Sequence, residues 1–222
     1  MYHYIEDKEF LREMKRKCAY IVNQLVQEIN NDEQLRVEAN LVGSGAKNLI
    51  TQNAQLPIDL DYNLNILEVN SMDINKADEK SLKNYVKDKF DYVLNKNGWG
   101  YSKDSTSCLT TRFQKIDDIN NDTKFSIDLA IVHGNSNDGT WFRLIHKKTG
   151  DVNTDEWYWN EAPHSKGLRE KVSKIKENGY WEDVRKAYLE KKNMYLRRND
   201  NNHPSFICYI ESVNETYKKY FK

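Results

Sequence analysis

Two aspartates separated by one residue lie in a stretch where apolar and polar residues alternate. Asp59 and Asp61 alternate with Ile58, Leu60 and Tyr62, which is the pattern of a strand with one apolar face. Because residues two apart on a strand point to the same side, the two carboxylates share a face. Mg²⁺ prefers such oxygen ligands. The stretch therefore predicts a metal site, with a solvated strand face as the alternative.

A third aspartate, Asp128, interrupts a second apolar segment, 125–132. Its neighbours Ile127 and Leu129 are predicted to point to the opposite face of a strand. An acidic side chain within such a strand is costly unless it has a partner or a function. If the two strands pair, the three carboxylates converge, and divalent cations shared by them can support phosphoryl or nucleotidyl transfer. The alternative is an ordinary buried polar residue with a hydrogen-bonding partner.

A turn of small residues precedes the paired aspartates. Gly43 and Ser44 follow a predicted strand, 37–42, and precede a predicted helix, 46–53. Such a turn presents backbone N–H groups to an anion; Gly43 permits close approach and Ser44 adds a hydroxyl donor. Alone, the pair is more often a plain turn, but together with the acids it is a candidate phosphate site. Lys47 lies nearby, although its spacing is not that of a Walker motif.

Other residues that could take part in binding or chemistry have a simpler structural interpretation. Four aromatic residues could stack a nucleobase, but packing in the core is favoured. Four lysines could meet a triphosphate, but a solvated helix face is favoured. The histidines show no metal-ligand spacing and are assigned no role. These groups are Trp141, Trp157, Tyr158 and Trp159; Lys166, Lys171, Lys174 and Lys176; and His133, His146, His164 and His203.

Periodicity and turn residues predict the elements that must position these side chains. Helical spacing of apolar residues predicts a first helix, and Asp73 is the candidate N-cap of a second helix that ends at Asn97-Gly98. After Pro163 the pattern is helical to the end, with breaks. The predicted ranges are a helix at 10–29, strands at 58–67, 108–116 and 124–132, a hairpin at 140–147 and 153–160, and breaks at 178–179 and 199–204.

This order of elements predicts an α+β fold, with a mixed twisted sheet flanked by helices and a C-terminal helical lobe. We expect a catalytic core over 1–160 and a helical lobe over 161–222 that packs on it.

Composition narrows the class of protein. The 222 residues include 34 basic and 34 acidic side chains, which cancel and provide no overall attraction to nucleic acid or anionic membranes. No apolar run approaches the length of a membrane span, and the N-terminus is not a signal peptide. The three cysteines, Cys18, Cys108 and Cys208, are far apart, so a reducing cytoplasm is expected. The abundance of Asn, Lys, Ile and Tyr is typical of an AT-rich bacterial genome.

In combination, Gly43 and Ser44, then Asp59 and Asp61, then Asp128 resemble the signature of the polymerase-beta nucleotidyltransferase superfamily. In that family a hydrophobic residue and Gly-Ser or Gly-Gly lead to an Asp-x-Asp pair, and a third strand acid follows.

The match in organisation extends from about residue 10 to residue 132. The interval 45–58 is slightly longer than the usual family spacing, which affects only the geometry of the loop. The segment 157–163, which enters a lysine-rich helix, is similar to bacterial cGAS-like and related stand-alone nucleotidyltransferases.

The resemblance implies roles for these residues. Gly43 and Ser44 would contact nucleotide phosphates, Asp59 and Asp61 would bind metal, and Asp128 would complete the metal site and help activate the acceptor. The implied cofactor is Mg²⁺, with Mn²⁺ as the alternative. The implied reaction moves a nucleoside monophosphate from an NTP such as ATP to an acceptor and releases pyrophosphate.

Three questions stay open at this point. The acceptor is RNA, a protein, a small molecule or another nucleotide. A non-catalytic nucleotide-binding or regulatory module with the same fold is the alternative to an enzyme. An interaction protein with merely solvated aspartates is the second alternative, and it would show no metal-dependent affinity for nucleotides.

Overall fold

The computed structural model describes residues 1–69, 78–117, 119, 121–135, 140–162, 167–200 and 203–222. Asp73, Pro163, His164 and Lys166, which appear in the predictions, lie outside these ranges. The helices are α1 (Lys8–Asn31), α2 (Gly43–Lys47), α3 (Glu79–Lys96), α4 (Leu168–Glu177), α5 (Trp181–Arg197) and α6 (Ser205–Phe221). The strands are β1 (Tyr2–Tyr4), β2 (Leu35–Leu41), β3 (Thr51–Asn53), β4 (Ile58–Val69), β5 (Lys103–Asp104), β6 (Leu109–Thr110), β7 (Phe125–Asn135), β8 (Thr140–Lys147) and β9 (Glu156–Glu161).

Seven strands within the described ranges form one mixed sheet, in which the two aspartate-bearing strands are central neighbours. The order is β2–β4–β7–β6–β5, with β8 paired to β7 and β9 paired to β8. Strands β4 and β7 run parallel, and the other pairs are antiparallel. Strands β1 and β3 form a separate antiparallel pair. A mixed sheet flanked by helices confirms the predicted α+β fold.

Helices α1 and α3 pack on one face of this sheet. In α1 the apolar residues recur every three or four positions and form a buried stripe. Leu60, Ile127 and Leu129, from β4 and β7, are 0% exposed in the same hydrophobic cluster. Because strand residues alternate between faces, the polar residues of β4 and β7 point away from this cluster.

The C-terminal helices form a second hydrophobic cluster. It joins α4, α5 and α6 and also takes in Leu49, which follows α2. The buried side chain of Asn193 in α5 holds strand β1, since it accepts the backbone N–H of Tyr2 at 2.7 Å and donates to the Tyr2 carbonyl at 2.9 Å. The division into 1–160 and 161–222 stays a prediction. No helix in the described part of the chain is long and apolar enough to cross a membrane.

Three local predictions need correction. The helix predicted at 46–53 is instead α2, which starts at Gly43 and ends where Asn48 adopts a left-handed backbone with φ of 56°. Residues 51–53 form β3 because they pair with the N-terminal strand. The strand predicted at 108–116 shortens to β6 and a single bridge between Gln114 and Phe125. Asp78 is the N-cap of α3, since its side chain accepts the backbone N–H of Ser81.

Candidate active site

Asp61 and Asp128 lie side by side at the centre of the sheet. The parallel register of β4 and β7 places Asp61 beside Asp128 and Asp59 beside Ser126. Since alternate residues of a strand share a face, Asp59, Asp61 and Asp128 lie on the same face of the sheet. The pairing of the two strands therefore brings together the three acids that the sequence singled out.

Hydroxyl groups hold two of these carboxylates. The Ser126 hydroxyl donates to Asp59 Oδ1, and the Thr110 hydroxyl donates to Asp128 Oδ1 at 2.6 Å. Within the described ranges, no three His, Cys, Asp or Glu side chains are already arranged to hold a metal ion. Carboxylates on one face repel each other when no cation neutralises them. The three acids thus share a face without yet forming a closed coordination sphere.

Burial raises the pKa of Asp61 from 3.8 to about 6, with further contributions from the negative charges of Asp128 and Asp59. The positive charges of Arg143 and Lys47 oppose this rise. Burial also raises the pKa of Asp128, and the hydrogen bond from Thr110 partly offsets it. Titratable groups that disfavour each other's ionised form are typical of sites that bind a cation or perform chemistry.

The pKa of Asp61 predicts a pH-dependent penalty on the stability of the metal-free protein. Because the folded-state pKa, about 6, exceeds the ordinary 3.8, the stability associated with Asp61 is complete below the lower value and is lost as pH rises through the upper value. We expect metal-free Asp61→Asn to have a higher Tm than the wild type near pH ~7.5, and this advantage to shrink toward pH ~4.5.

Melting curves of both proteins in a chelator, recorded across this pH range, measure the effect. The difference between the two proteins cancels the titration of groups that do not interact with Asp61. A difference in Tm that is constant with pH would contradict the prediction.

Gly43 and Ser44 begin α2 directly beside Asp61. The backbone N–H of Val42 donates to the Asp61 carbonyl at 2.9 Å, which ties the start of α2 to β4. Gly43 has a φ of +60°, and a Cβ at this position would lie 2.1 Å from Asp61 Oδ2. Glycine is therefore needed both for the backbone conformation and for the close approach. Since α2 has only five residues, any anion here would depend on local N–H groups and not on a summed helix dipole.

The acids and the turn border a cavity of about 810 Å³, a size that is common for ligand sites. The wall from the sheet side includes Gly43, Ser44, Asp59, Asp61 and Asp128. The wall from the C-terminal helices includes Tyr188, Lys192, Ser205, Phe206 and Tyr209. The sequence pattern predicted the first wall. It missed the second, because these residues belong to no motif and come together only through the packing of α5 and α6.

Three cationic side chains line the same cavity. Lys47 Nζ donates to the Gly43 carbonyl at 3.0 Å. Arg143 Nε is buried and has no hydrogen-bonding partner among the described residues. Lys192 Nζ donates to the Thr51 hydroxyl at 2.9 Å, and burial lowers the pKa of Lys192 to about 8. Cations beside a group of carboxylates suit a ligand that combines phosphate groups with a divalent metal.

Several of the other candidate residues within the described ranges pack against neighbouring side chains, whereas Tyr158 is 40% exposed and not in the core. Trp157 stacks on His146 with ring centroids 4.2 Å apart, and Trp159 meets His133 edge-on at 4.4 Å. Trp157 and Trp159 belong to β9, and their ring partners to β8 and β7. The aromatic side chains of the C-terminal helices that line the cavity are Tyr188, Phe206 and Tyr209. Lys174 and Lys176 lie over aromatic rings of the helical lobe, at 4.7 Å from Phe221 and 4.6 Å from Trp181.

The sequence matches no protein-family model and no curated protein. Solved structures share its fold. CdnC from E. coli MS115-1 in complex with HORMA-deltaN has a TM-score of 0.56 and 13% identity, and the match covers 94% of this chain and 60% of that one. The same protein with ATP has a TM-score of 0.55 and 14% identity, and the match covers 92% of this chain and 60% of that one. Vibrio cholerae DncV cyclic AMP-GMP synthase, a prokaryotic cGAS homolog, has a TM-score of 0.46 and 14% identity, and the match covers 71% of this chain and 38% of that one.

These neighbours are cGAS-like nucleotidyltransferases of the polymerase-beta type. At such low identity the likeness shows the fold, and it confirms the fold expected from the order of the Gly-Ser turn and the three acids. The chain spans 60% of the length of the CdnC chains that it matches.

Proposed function

We propose that this chain, which has the fold of cGAS-like nucleotidyltransferases, transfers a nucleoside monophosphate from an NTP to an acceptor and releases pyrophosphate. The observation that supports this most directly is the position of Asp59, Asp61 and Asp128 on one sheet face, against the turn at Gly43 and beside a ligand-sized cavity. We take ATP as the first substrate to test, since a CdnC structure contains it. A bacterial cytoplasm is the proposed location.

The donor set fits a hard divalent cation. Three carboxylates share a face, and burial together with the other two acids raises the pKa of Asp61, a cost that a bound cation would relieve. We therefore assign Asp59, Asp61 and Asp128 as metal ligands and catalytic residues, for Mg²⁺ or alternatively Mn²⁺. When bound, such ions neutralise charge on the transferring phosphate and favour ionisation of the attacking group.

The residues of the chain supply binding and orientation. We assign Gly43 and Ser44 to the phosphates through the backbone N–H groups and the hydroxyl of their turn. Lys47 and Lys192 add positive charge to the same cavity. Asp128 accepts from Thr110 through Oδ1, and we assign its carboxylate to complete the metal site and to help activate the acceptor group.

The aromatic residues of the helical wall suit the nucleobase. Phe206 and Tyr209 line the cavity from α6, and the ring of Phe206, which is 38% exposed, offers an apolar face for stacking. The nucleotide would thus lie between the two walls, with its phosphates toward Gly43 and its base toward α6.

Pyrophosphate release tests this proposal. The purified chain is incubated with each labelled NTP, Mg²⁺ or Mn²⁺, and a cell extract that supplies acceptors, and label transfer is followed in parallel. We expect metal-dependent release of pyrophosphate together with a labelled product, and a release lower by about a hundredfold or more with Asp61→Asn. Metal-dependent NTP binding without release under any condition would instead support a non-catalytic nucleotide-binding module. The absence of NTP binding would contradict both.

A further inference from the structure

Thr110 contacts one of the proposed catalytic acids from a strand that no motif includes. Thr110 and Asp128 are cross-strand partners of β6 and β7, and the threonine hydroxyl donates to Asp128 Oδ1 at 2.6 Å. The adjacent Thr111 uses its hydroxyl differently, since it accepts the backbone N–H of Ile127 at 2.9 Å. Two neighbouring threonines therefore bond the same strand, one through a carboxylate and the other through the backbone.

The hydrogen bond from Thr110 restricts the rotation of the Asp128 carboxylate, and a weaker hydrogen bond from Cys108 acts on the same group. The terminal torsion of an aspartate is broad, and Asp128 lies beside Asp61 on a face that also carries Asp59. Repulsion between unneutralised carboxylates would favour a rotation away from the other acids. An O–H···O⁻ bond of this length is among the stronger ones in proteins. By holding Oδ1 on the β6 side, it restricts the rotation of the carboxylate.

A buried network in turn holds the segment that carries Thr110. Lys83 is 2% exposed, donates to the Ser105 carbonyl at 2.9 Å and pairs with Asp104 at 2.7 Å. The backbone N–H of His146 donates to the Thr106 carbonyl at 2.8 Å. An ammonium group is costly to bury unless its partners are well placed. These bonds therefore fix the turn before β6, and a strand of only two residues can present its hydroxyl in a defined place.

We propose that Thr110 is a positioning residue, whose hydroxyl orients Asp128 for cation binding and for the reaction. The catalytic part of this inference rests on the proposed function, whereas the effect on cation affinity can be tested without it. Thr110 would act through Asp128 and need not touch the nucleotide. Its removal should therefore lower kcat and cation affinity more than it raises KM for the NTP.

Two substitutions at Thr110 test the role of the hydroxyl. Thr110→Val keeps the shape and removes the donor, and we expect kcat and Mn²⁺ affinity to fall by about 10- to 100-fold, as for other partners of metal-binding side chains. Thr110→Ser keeps the donor and should restore both values to near the wild-type level. The matched control is Thr111→Val, which removes the neighbouring hydroxyl and should lower Tm while kcat stays within about twofold.

Mn²⁺ affinity is measured by electron paramagnetic resonance, and kcat and KM by pyrophosphate release, on proteins shown to be folded. If Thr110→Val does not fold, Thr110→Ala is measured in its place. Wild-type values of both kcat and Mn²⁺ affinity in the folded variant would overturn the inference. So would equal losses in Thr110→Ser and Thr110→Val. If the wild type itself releases no pyrophosphate, the proposed function fails, and the Mn²⁺ affinities still decide whether Thr110 orients Asp128.

Discussion

Asparagine in place of Asp61 or Asp128 should reduce turnover by about a hundredfold or more, by analogy with the loss of other groups that stabilise transition-state charge. The substitution keeps the size of the side chain and removes the negative charge that a cation needs. Nucleotide affinity should fall much less, since the Gly43-Ser44 turn and Lys192 also contribute to binding in the proposed arrangement. An interaction that is stronger in the transition state than in the ground state affects kcat more than binding.

The same substitutions should leave metal-free stability unchanged or higher. Each removes one charge from a group of like charges, which relieves repulsion. In Asp128→Asn the amide oxygen can still accept the Thr110 hydroxyl, so this hydrogen bond need not be lost. A clear drop in the Tm of metal-free Asp128→Asn would instead indicate an aspartate with a structural role.

Pyrophosphate release, NTP affinity by calorimetry and Tm in a chelator are measured for the wild type and both variants. Asp122→Asn is the control, because Asp122 is exposed, lies outside the cavity lining and pairs only at the surface with Lys115. It should behave as the wild type in all three measurements. Equal, near-zero turnover in every protein, with all four NTPs tested, would favour the non-catalytic module.

Gly43→Ala should reduce turnover and NTP binding more than the addition of one methyl group would suggest. The added Cβ would lie 2.1 Å from Asp61 Oδ2, so either the carboxylate or the turn must move. A displacement of about 1 Å in a catalytic group can cost about a hundredfold in rate. We expect a loss of turnover of that order in Gly43→Ala, together with weaker NTP binding, because the turn and the acid are displaced together.

Gly98→Ala is the matched control for backbone strain. Gly98 has a φ of +76°, similar to the +60° of Gly43, but a Cβ there would meet no atom within 4 Å. Both variants therefore incur the cost of a left-handed alanine, and only Gly43→Ala adds the contact with Asp61. Turnover and NTP affinity are compared after both proteins are shown to be folded. Equal effects in the two variants, or wild-type behaviour of Gly43→Ala, would refute the proposed phosphate turn.

Local patterns in the sequence were sufficient to predict the elements that carry the site. The alternation around Asp59 and Asp61 placed both on one face because a strand has a period of two residues. In β4, buried residues do alternate with more exposed ones around these two aspartates. The helical spacing of apolar residues in α1 likewise predicted a helix, at 10–29, that starts within about two residues of the observed Lys8. Helix α4 ends at Glu177, directly before the predicted break at 178–179, and α5 ends at Arg197, close to the predicted break at 199–204.

Close to the turn, tertiary contacts decided what local propensity did not. The short helix begins at Gly43 and not at Ala46, since Val42 is hydrogen-bonded to Asp61 and Asn48 ends the helix in a left-handed conformation. Residues 51–53 became a strand because the N-terminal residues offered a partner. Strand pairing depends on residues far away in sequence, so no local pattern contains it.

Local alternation was enough to place Asp59 and Asp61 on one strand face and Asp128 within an apolar strand. The register between Asp61 and Asp128 became known from the fold, because register depends on how two distant strands pair. The fold also decided that Lys192 reaches the same cavity from α5 and that Thr110 bonds Asp128. These contacts join residues that are at least 18 positions apart in the chain. Their positions follow from packing and strand order, which spacing along the chain does not encode.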